Sequence, residues 1–266
     1  MSGFDPAWLA LREPADSAAR DASLLAAAAA QLGAVGGDVL DLGCGTGATF
    51  RALAPFLDRP ACWRLLDNDS VLLSEAVRRV GRDTQAIAIQ ADLNDVEALL
   101  VDGVGLVTAS ALLDLVSARW AERLAARLAR AGVGLYATLN YDGSIAWDEP
   151  HPLDAAVLAA FNAHQTGDKG LGPALGPAAT RVAGDCFRRL GCEVLVASSP
   201  WRLGPEQQAL QRQLIAGIAQ AVVEAGVAPG AAADWRDART AAAVRSGGSI
   251  GHDDLLVLPA PAVGRP

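Results

Sequence analysis

Val39-Leu40-Asp41-Leu42-Gly43-Cys44-Gly45-Thr46-Gly47 sets a short apolar, β-forming run directly against three alternating glycines. Glycine reaches backbone angles closed to other residues and lets the chain approach a ligand closely, while the helix that follows offers unpaired N-terminal amides. Working outward, strands are predicted at Val39–Leu42, Cys62–Leu66, Ala86–Ile89, Val104–Thr108 and Gly134–Leu139. Between them, helices are predicted over Ala48–Leu57, Ser70–Val80 and Ala118–Ala131, and an earlier one over Ala18–Leu32. Strands that alternate with helices build parallel βαβ units, so the fold class is α/β: an open, doubly wound, Rossmann-like sheet with helices on both faces.

The second half is less regular. Residues 141–176 carry turn signals and the Gly-rich stretch DKGLGPALGP, which reads as a loop or lid. A helix at Thr180–Leu190, a sixth strand at Cys192–Ala197, helices over Pro205–Ala225 and Ala231–Val244, and a seventh strand at Leu255–Leu258 complete the expectation. No composition shift marks a domain boundary. The chain is read as one domain: an N-terminal helical segment 1–36, a core 37–140 and a half 141–266 with a helical insertion at 204–247.

Composition narrows the partners. Thirty acidic residues face 22 basic ones, for a net charge of −8. Tracking a phosphate backbone needs a basic surplus, so no nucleic acid partner is expected and a small molecule is favoured. The apolar run Ala26–Ala30 is far too short to span a bilayer, and the N-terminus has no signal pattern, so a cytoplasmic protein without a membrane partner is expected. Cysteines 44, 62, 186 and 192 fall in no zinc or CxxC spacing. His252, Asp253 and Asp254 are adjacent, and neighbours on a strand point to opposite faces, so no metal is expected there.

Acids recur at the strand ends. Leu65-Leu66-Asp67-Asn68-Asp69 closes the second strand, where a carboxylate can accept two ribose hydroxyls, and Ala91-Asp92-Leu93 closes the third. The dinucleotide fingerprint G-x-G-x-x-G fails, because Ala48 stands where its third glycine belongs. VLDLGCGTG, LLDND and ADL resemble the first three motifs of class I S-adenosylmethionine-dependent methyltransferases, over roughly residues 38–140. The resemblance implies a mostly parallel seven-stranded sheet whose antiparallel final strand is Leu255–Leu258, with extra helices forming a lid. It implies S-adenosyl-L-methionine as cofactor and S-adenosyl-L-homocysteine as product. Asp41, Gly43, Cys44, Gly45 and Gly47 would line the methionine portion, Asp67 with Asn68 would hold the ribose, and Asp92 with Leu93 the adenine. Ser110, ending the fourth strand, would back the cofactor. Arg20 either pairs with the cofactor carboxylate or is a surface charge beside Asp16 and Asp21.

Methyl transfer from a sulfonium is an in-line displacement that positioning largely accomplishes, so the chain need not carry a catalytic signature. The fourth strand leads not into Asn/Asp-Pro-Pro-Tyr/Phe but into Ser110-Ala111-Leu112-Leu113-Asp114. Asp114 either orients or deprotonates an acceptor or caps the next helix. Tyr141 is a second candidate for proton handling. Trp147, His164, Trp201 and Arg202 are candidates for the small-molecule acceptor's pocket, against readings as packed corners and rim charges. The competing function is a non-catalytic cofactor-binding or scaffold protein of the same descent.

Overall fold

The computed structural model describes residues 5–260. The parallel half of the sheet consists of β1 (Asp38–Leu42), β2 (Trp63–Asp67), β3 (Ala86–Gln90), β4 (Val104–Ser110) and β5 (Gly134–Trp147). Crossovers carry α3 (Ala48–Leu53), α4 (Ser70–Val80) and α5 (Ala118–Ala131). β8 (Gly248–Leu258) enters antiparallel between β5 and β6 (Glu193–Ser198), giving the order β3-β2-β1-β4-β5-β8-β6. An eighth strand, β7 (Trp201–Leu203), pairs with the start of β8 and was not expected. Three residues are too few for alternation to reveal.

Alternation along each strand sorts the core into two layers. Val39, Leu65, Leu106, Tyr136 and Leu256 face one side, where α2 (Ala22–Val35) and α4 cover them. Leu40, Leu66, Val107, Leu135 and Leu255 face the other, under α5 and α7 (Ala179–Arg189). A separate cluster joins α6 (Asp154–Gln165), α8 (Gln208–Glu224) and α9 (Pro229–Ala242) through Val157, Ile215, Ile218, Val222 and Trp235.

Three sequence expectations change. The helix expected over Ala18–Leu32 starts at Ala22, as α2, because Asp21 caps it by accepting from Leu24 N at 2.8 Å, and an unexpected helix, α1 (Pro6–Ala19), precedes it. The region 141–176 is less loop than expected: β5 continues to Trp147 through two register shifts, and α6 follows. Helix α3 stops at Leu53, where the chain tightens into a turn over Ala54–Phe56 containing Pro55. No helix among the described residues is long and apolar enough to cross a membrane.

Candidate functional site

The glycine turn after β1 is built as its composition requires. Gly43, Gly45 and Gly47 have φ of 60°, 52° and 81°, in the left-handed region that excludes most side chains. Gly45 N donates to Asp67 Oδ2 at 2.9 Å, so the acid ending β2 also fixes the turn after β1. Asp67 Oδ1 accepts from Asp69 N at 3.0 Å. The turn and the strand ends border a cavity of about 650 Å³ at the carboxyl edge of the sheet. That is where open α/β sheets take their ligands.

Eight of the cofactor candidates line this cavity: Gly43, Cys44 and Gly45 from the turn, Asp67 and Asn68 after β2, Asp92 and Leu93 after β3, and Ser110 at the end of β4. Asp92 Oδ1 accepts from the backbone and side-chain nitrogens of Asn94, at 2.9 and 3.0 Å. Burial pushes the Cys44 thiol up, so it stays protonated against the cavity wall.

Three candidates lie behind the wall. Gly47 caps α3 and packs against Ala76. Asp41 is fully buried, with Oδ1 accepting from Thr108 Oγ1 at 2.7 Å and Oδ2 without a partner. Arg20 is neither a surface charge nor a cavity residue. It is buried, donating from Nη1 to Thr138 Oγ1 and from Nη2 to Ser110 Oγ at 3.1 Å. Its reach through Ser110 stops one side chain short of the cavity.

Burial lifts the Asp41 carboxyl from its ordinary 3.8 to about 7, against the Thr108 hydrogen bond and the Arg20 charge, which both lower it. A carboxyl with a raised folded pKa binds more protons folded than unfolded, so its stabilisation is lost as pH rises through that window. Asp41→Asn is expected to flatten the decline of apo-protein stability between these two pH values, by up to about 1.4 kcal/mol per pH unit. Urea midpoints measured across the window check this, and parallel slopes in both proteins would refute it.

The proposed acceptor and catalytic residues are scattered. Asp114 does not cap α5, a role Ser117 takes by accepting from Trp120 N at 3.3 Å. Its Oδ1 is buried without a partner between the cavity-lining Leu112 and Leu115, and burial raises its carboxyl to about 6 although the Arg12 charge lowers it. Tyr141 lies outside the cavity: its hydroxyl donates to Asn162 Oδ1 at 2.8 Å, and burial pushes that hydroxyl up. Trp147 packs edge-on against Trp235, with Arg239 over its ring, because the β5 extension carries it to the α6–α8–α9 cluster. Trp201 is buried in β7 and donates to Asp16 Oδ1 at 3.0 Å. Alternation turns Arg202 outward into solvent, away from the cavity. His164 is one residue removed: it bonds Lys169, which does line the cavity.

The Gly-rich stretch expected as a lid does cover the cavity, but the individual covering residues were not singled out in the sequence. Leu9, Arg12 and Asp16 of α1 line the cavity, as do Lys169, Gly170 and Leu171 of the Gly-rich segment. Positions 9, 12 and 16 repeat at helical spacing, which shows one face of α1 but not what that face meets. Glu13 ties α1 down, accepting from Arg51 Nε at 2.5 Å and Nη2 at 2.8 Å. Helices α8 and α9 contribute nothing to the cavity lining, so the lid is α1 and the segment 169–171, not the insertion at 204–247. Ala111, with φ of 50°, is a non-glycine residue held in the left-handed region at the cavity wall. Among the described residues no group of side chains is arranged to hold a metal ion.

This geometry defines a Rossmann-like α/β protein with a ligand cavity at the glycine turn. The methyltransferase-domain family matches residues 39–132, from β1 through the end of α5. A comparison with curated proteins finds no match. Among solved structures, a cyclopropane-fatty-acyl-phospholipid synthase-like protein from Lactobacillus casei is similar in fold at 14% identity, with a TM-score of 0.59 over 92% of this chain and 91% of that one. A cyclopropane synthase from Mycobacterium tuberculosis is 13% identical, with a TM-score of 0.52 over 96% and 94%. A methyltransferase from Geobacter sulfurreducens, solved with S-adenosyl-L-homocysteine, is 16% identical, with a TM-score of 0.50 over 96% and 98%. At these identities the likeness is one of fold. Residues 39–132, which hold the glycine turn, are thus similar to a methyltransferase domain, and the chain shares the fold of these solved structures.

Proposed function

We propose that this protein moves the methyl group of S-adenosylmethionine onto a small-molecule acceptor. The observation that carries the reading is one cavity lined jointly by the glycine turn, by acids from two strand ends and by an apolar wall after β4. Gly43, Cys44 and Gly45 take the methionine portion, Asp67 with Asn68 the ribose, Asp92 with Leu93 the adenine, and Ser110 backs the reacting end. The residues present fit that cofactor. Each Asp67 oxygen already accepts one backbone N–H and keeps a second lone pair, so the carboxylate can take two ribose hydroxyls without releasing the turn. Asp41, Arg20 and Gly47 act from behind, holding β1 to β4, Ser110 in place and the start of α3.

When bound, the cofactor supplies an electrophilic methyl carbon, which bonds to the acceptor as its bond to sulfur breaks and leaves S-adenosylhomocysteine. A volume of about 650 Å³ must hold both partners, and it lies in the range of small-molecule sites. The acidic chain disfavours nucleic acid as acceptor. Asp114 reaches the acceptor by turning about its side-chain bonds, since nothing holds its Oδ1. With its pKa raised to about 6 it is ionised at neutral pH and basic enough to take a proton from the attacking group.

The test incubates the protein with methyl-labelled cofactor and a low-mass metabolite fraction. Label is expected in a low-mass product, with S-adenosylhomocysteine formed in equal amount. Asp114→Asn is expected to slow turnover by roughly a hundredfold with S-adenosylhomocysteine affinity unchanged. Tight cofactor binding without label transfer would favour the non-catalytic reading instead.

A further inference from the structure

Lys169 is the only lysine in the chain, one among 22 lysines and arginines, and it lines the cavity. The other cation in the lining, Arg12, is already neutralised: Nε and Nη2 bond both oxygens of Asp16, at 2.9 and 3.1 Å. Lys169 has no such partner among the described residues. Its Nζ lies 3.3 Å from His164 Nδ1, and His164 Nε2 lies 3.0 Å from Glu224 Oε2. An ammonium donates and cannot accept, so the ring nitrogen facing it is the lone-pair nitrogen and the ring proton sits toward Glu224. The carboxylate therefore sets the tautomer, and the imidazole holds the ammonium without cancelling its charge by direct pairing.

The turn that carries Lys169 is fastened on both sides. Gly170 N donates to Asp168 Oδ1 at 2.7 Å, and Gly170 O accepts from Asn94 Nδ2 at 3.1 Å. Asp168 bridges Pro173, and Ala174 bridges Ser117. A positioned cation in the lining of a ligand cavity, without a carboxylate bonded to it directly, can take an oxyanion that enters the cavity. Lysine meets such a group as a compact point charge on a flexible stem.

We propose that Lys169, held by the Glu224–His164 pair, binds a carboxylate or phosphate group of the methyl acceptor. The proposal rests on the methyl-transfer reading and narrows its acceptor to an anionic metabolite. The cofactor also carries a carboxylate, but its methionine portion belongs at the glycine turn after β1. Asn94, which holds the Lys169 turn, follows β3, two strands or about 10 Å away. An anion bound there lies away from the glycine turn, and its binding serves to fix the acceptor's orientation.

Reductive methylation with isotopically labelled formaldehyde marks two amines, Lys169 and the N-terminus, and keeps both able to carry charge. Protein saturated with S-adenosylhomocysteine is titrated with inorganic phosphate and, separately, acetate, while both labelled signals are followed by NMR. The Lys169 signal is expected to shift saturably with at least one anion while the N-terminal signal stays still. In unlabelled protein, Lys169→Met is expected to weaken binding of that anion at least about tenfold, with S-adenosylhomocysteine affinity unaltered. Glu224→Gln is expected to weaken it less. A silent Lys169 signal, or one moving in step with the N-terminus, overturns the proposal. So does a Lys169 shift on adding S-adenosylhomocysteine to empty protein that methylthioadenosine, which lacks the carboxylate, fails to produce, because the ammonium then serves the cofactor. Failure to bind S-adenosylhomocysteine at all would instead remove the methyl-transfer reading beneath it.

Discussion

Asp67→Ala is expected to weaken S-adenosylhomocysteine binding by at least about a hundredfold. The carboxylate has two tasks that the truncation ends together. It offers free lone pairs to the cavity, for the two ribose hydroxyls of the proposed reading, and it accepts from Gly45 N to fix the glycine turn. Hydrogen bonds to an ionised partner contribute about 1.5–3 kcal/mol each, and two of them correspond to roughly two to four powers of ten in affinity. Asp67→Asn keeps one oxygen as acceptor and is expected to fall between wild type and Asp67→Ala. Isothermal titration measures both, with unchanged circular dichroism showing that the fold persists. An Asp67→Ala affinity within threefold of wild type would take Asp67 out of the site.

Asp254→Ala is expected to cost about 3–5 kcal/mol of folding stability, the largest single loss outside the hydrophobic core. Asp254 is fully buried on β8 and joins three parts of the chain. Oδ1 accepts from Leu139 N at 2.9 Å and from Ser199 Oγ at 2.7 Å, and Oδ2 accepts from Asp21 N at 2.9 Å. The Leu139 bond steadies a non-glycine residue at φ of 56°, inside the first register shift of β5. The Asp21 bond anchors the break between α1 and α2 from which the cavity cover extends. Alanine leaves one buried and one partly buried backbone donor unpaired, at about 1–3 kcal/mol for such a group, while the Ser199 hydroxyl can turn elsewhere. Burial raises the Asp254 carboxyl, opposed by these same three hydrogen bonds, so the charge is costly in itself and tolerable only with all of them. Calorimetry is expected to show a drop of roughly 10 °C in melting temperature. A loss below about 1 kcal/mol would mean that water or neighbouring groups replace the carboxylate.

The part of the cavity built from the strand ends was legible because it is local. Val39–Gly47, Asp67 and Asp92 each lie at the end of a strand that announces itself, and parallel strands place their carboxyl ends side by side. Elsewhere the reading failed for reasons of geometry. Arg202 and Trp201 look equivalent in sequence, yet the pleat of β7 buries one and exposes the other. Tyr141 and Trp147 follow β5, but the strand runs on with two register shifts and carries both past the cavity. Asp41 sits two residues from the first glycine and still points into the sheet, toward Thr108 of β4.

The sequence alone determined the alternation of β1–β5 with α3–α5, the glycine turn and the acids at its rim, since these depend on periodicity and on residues no more than a few positions apart. Tertiary structure decided what covers the cavity. The approach of α1 depends on Glu13 meeting Arg51, 38 residues away, and on Asp254 reaching Asp21 across 233. The cation Lys169 reaches the cavity edge only because its turn is tied to Asn94, 76 residues from Gly170. Contacts of that range leave no period in a sequence, because they follow from which faces remain to be buried once the sheet has formed.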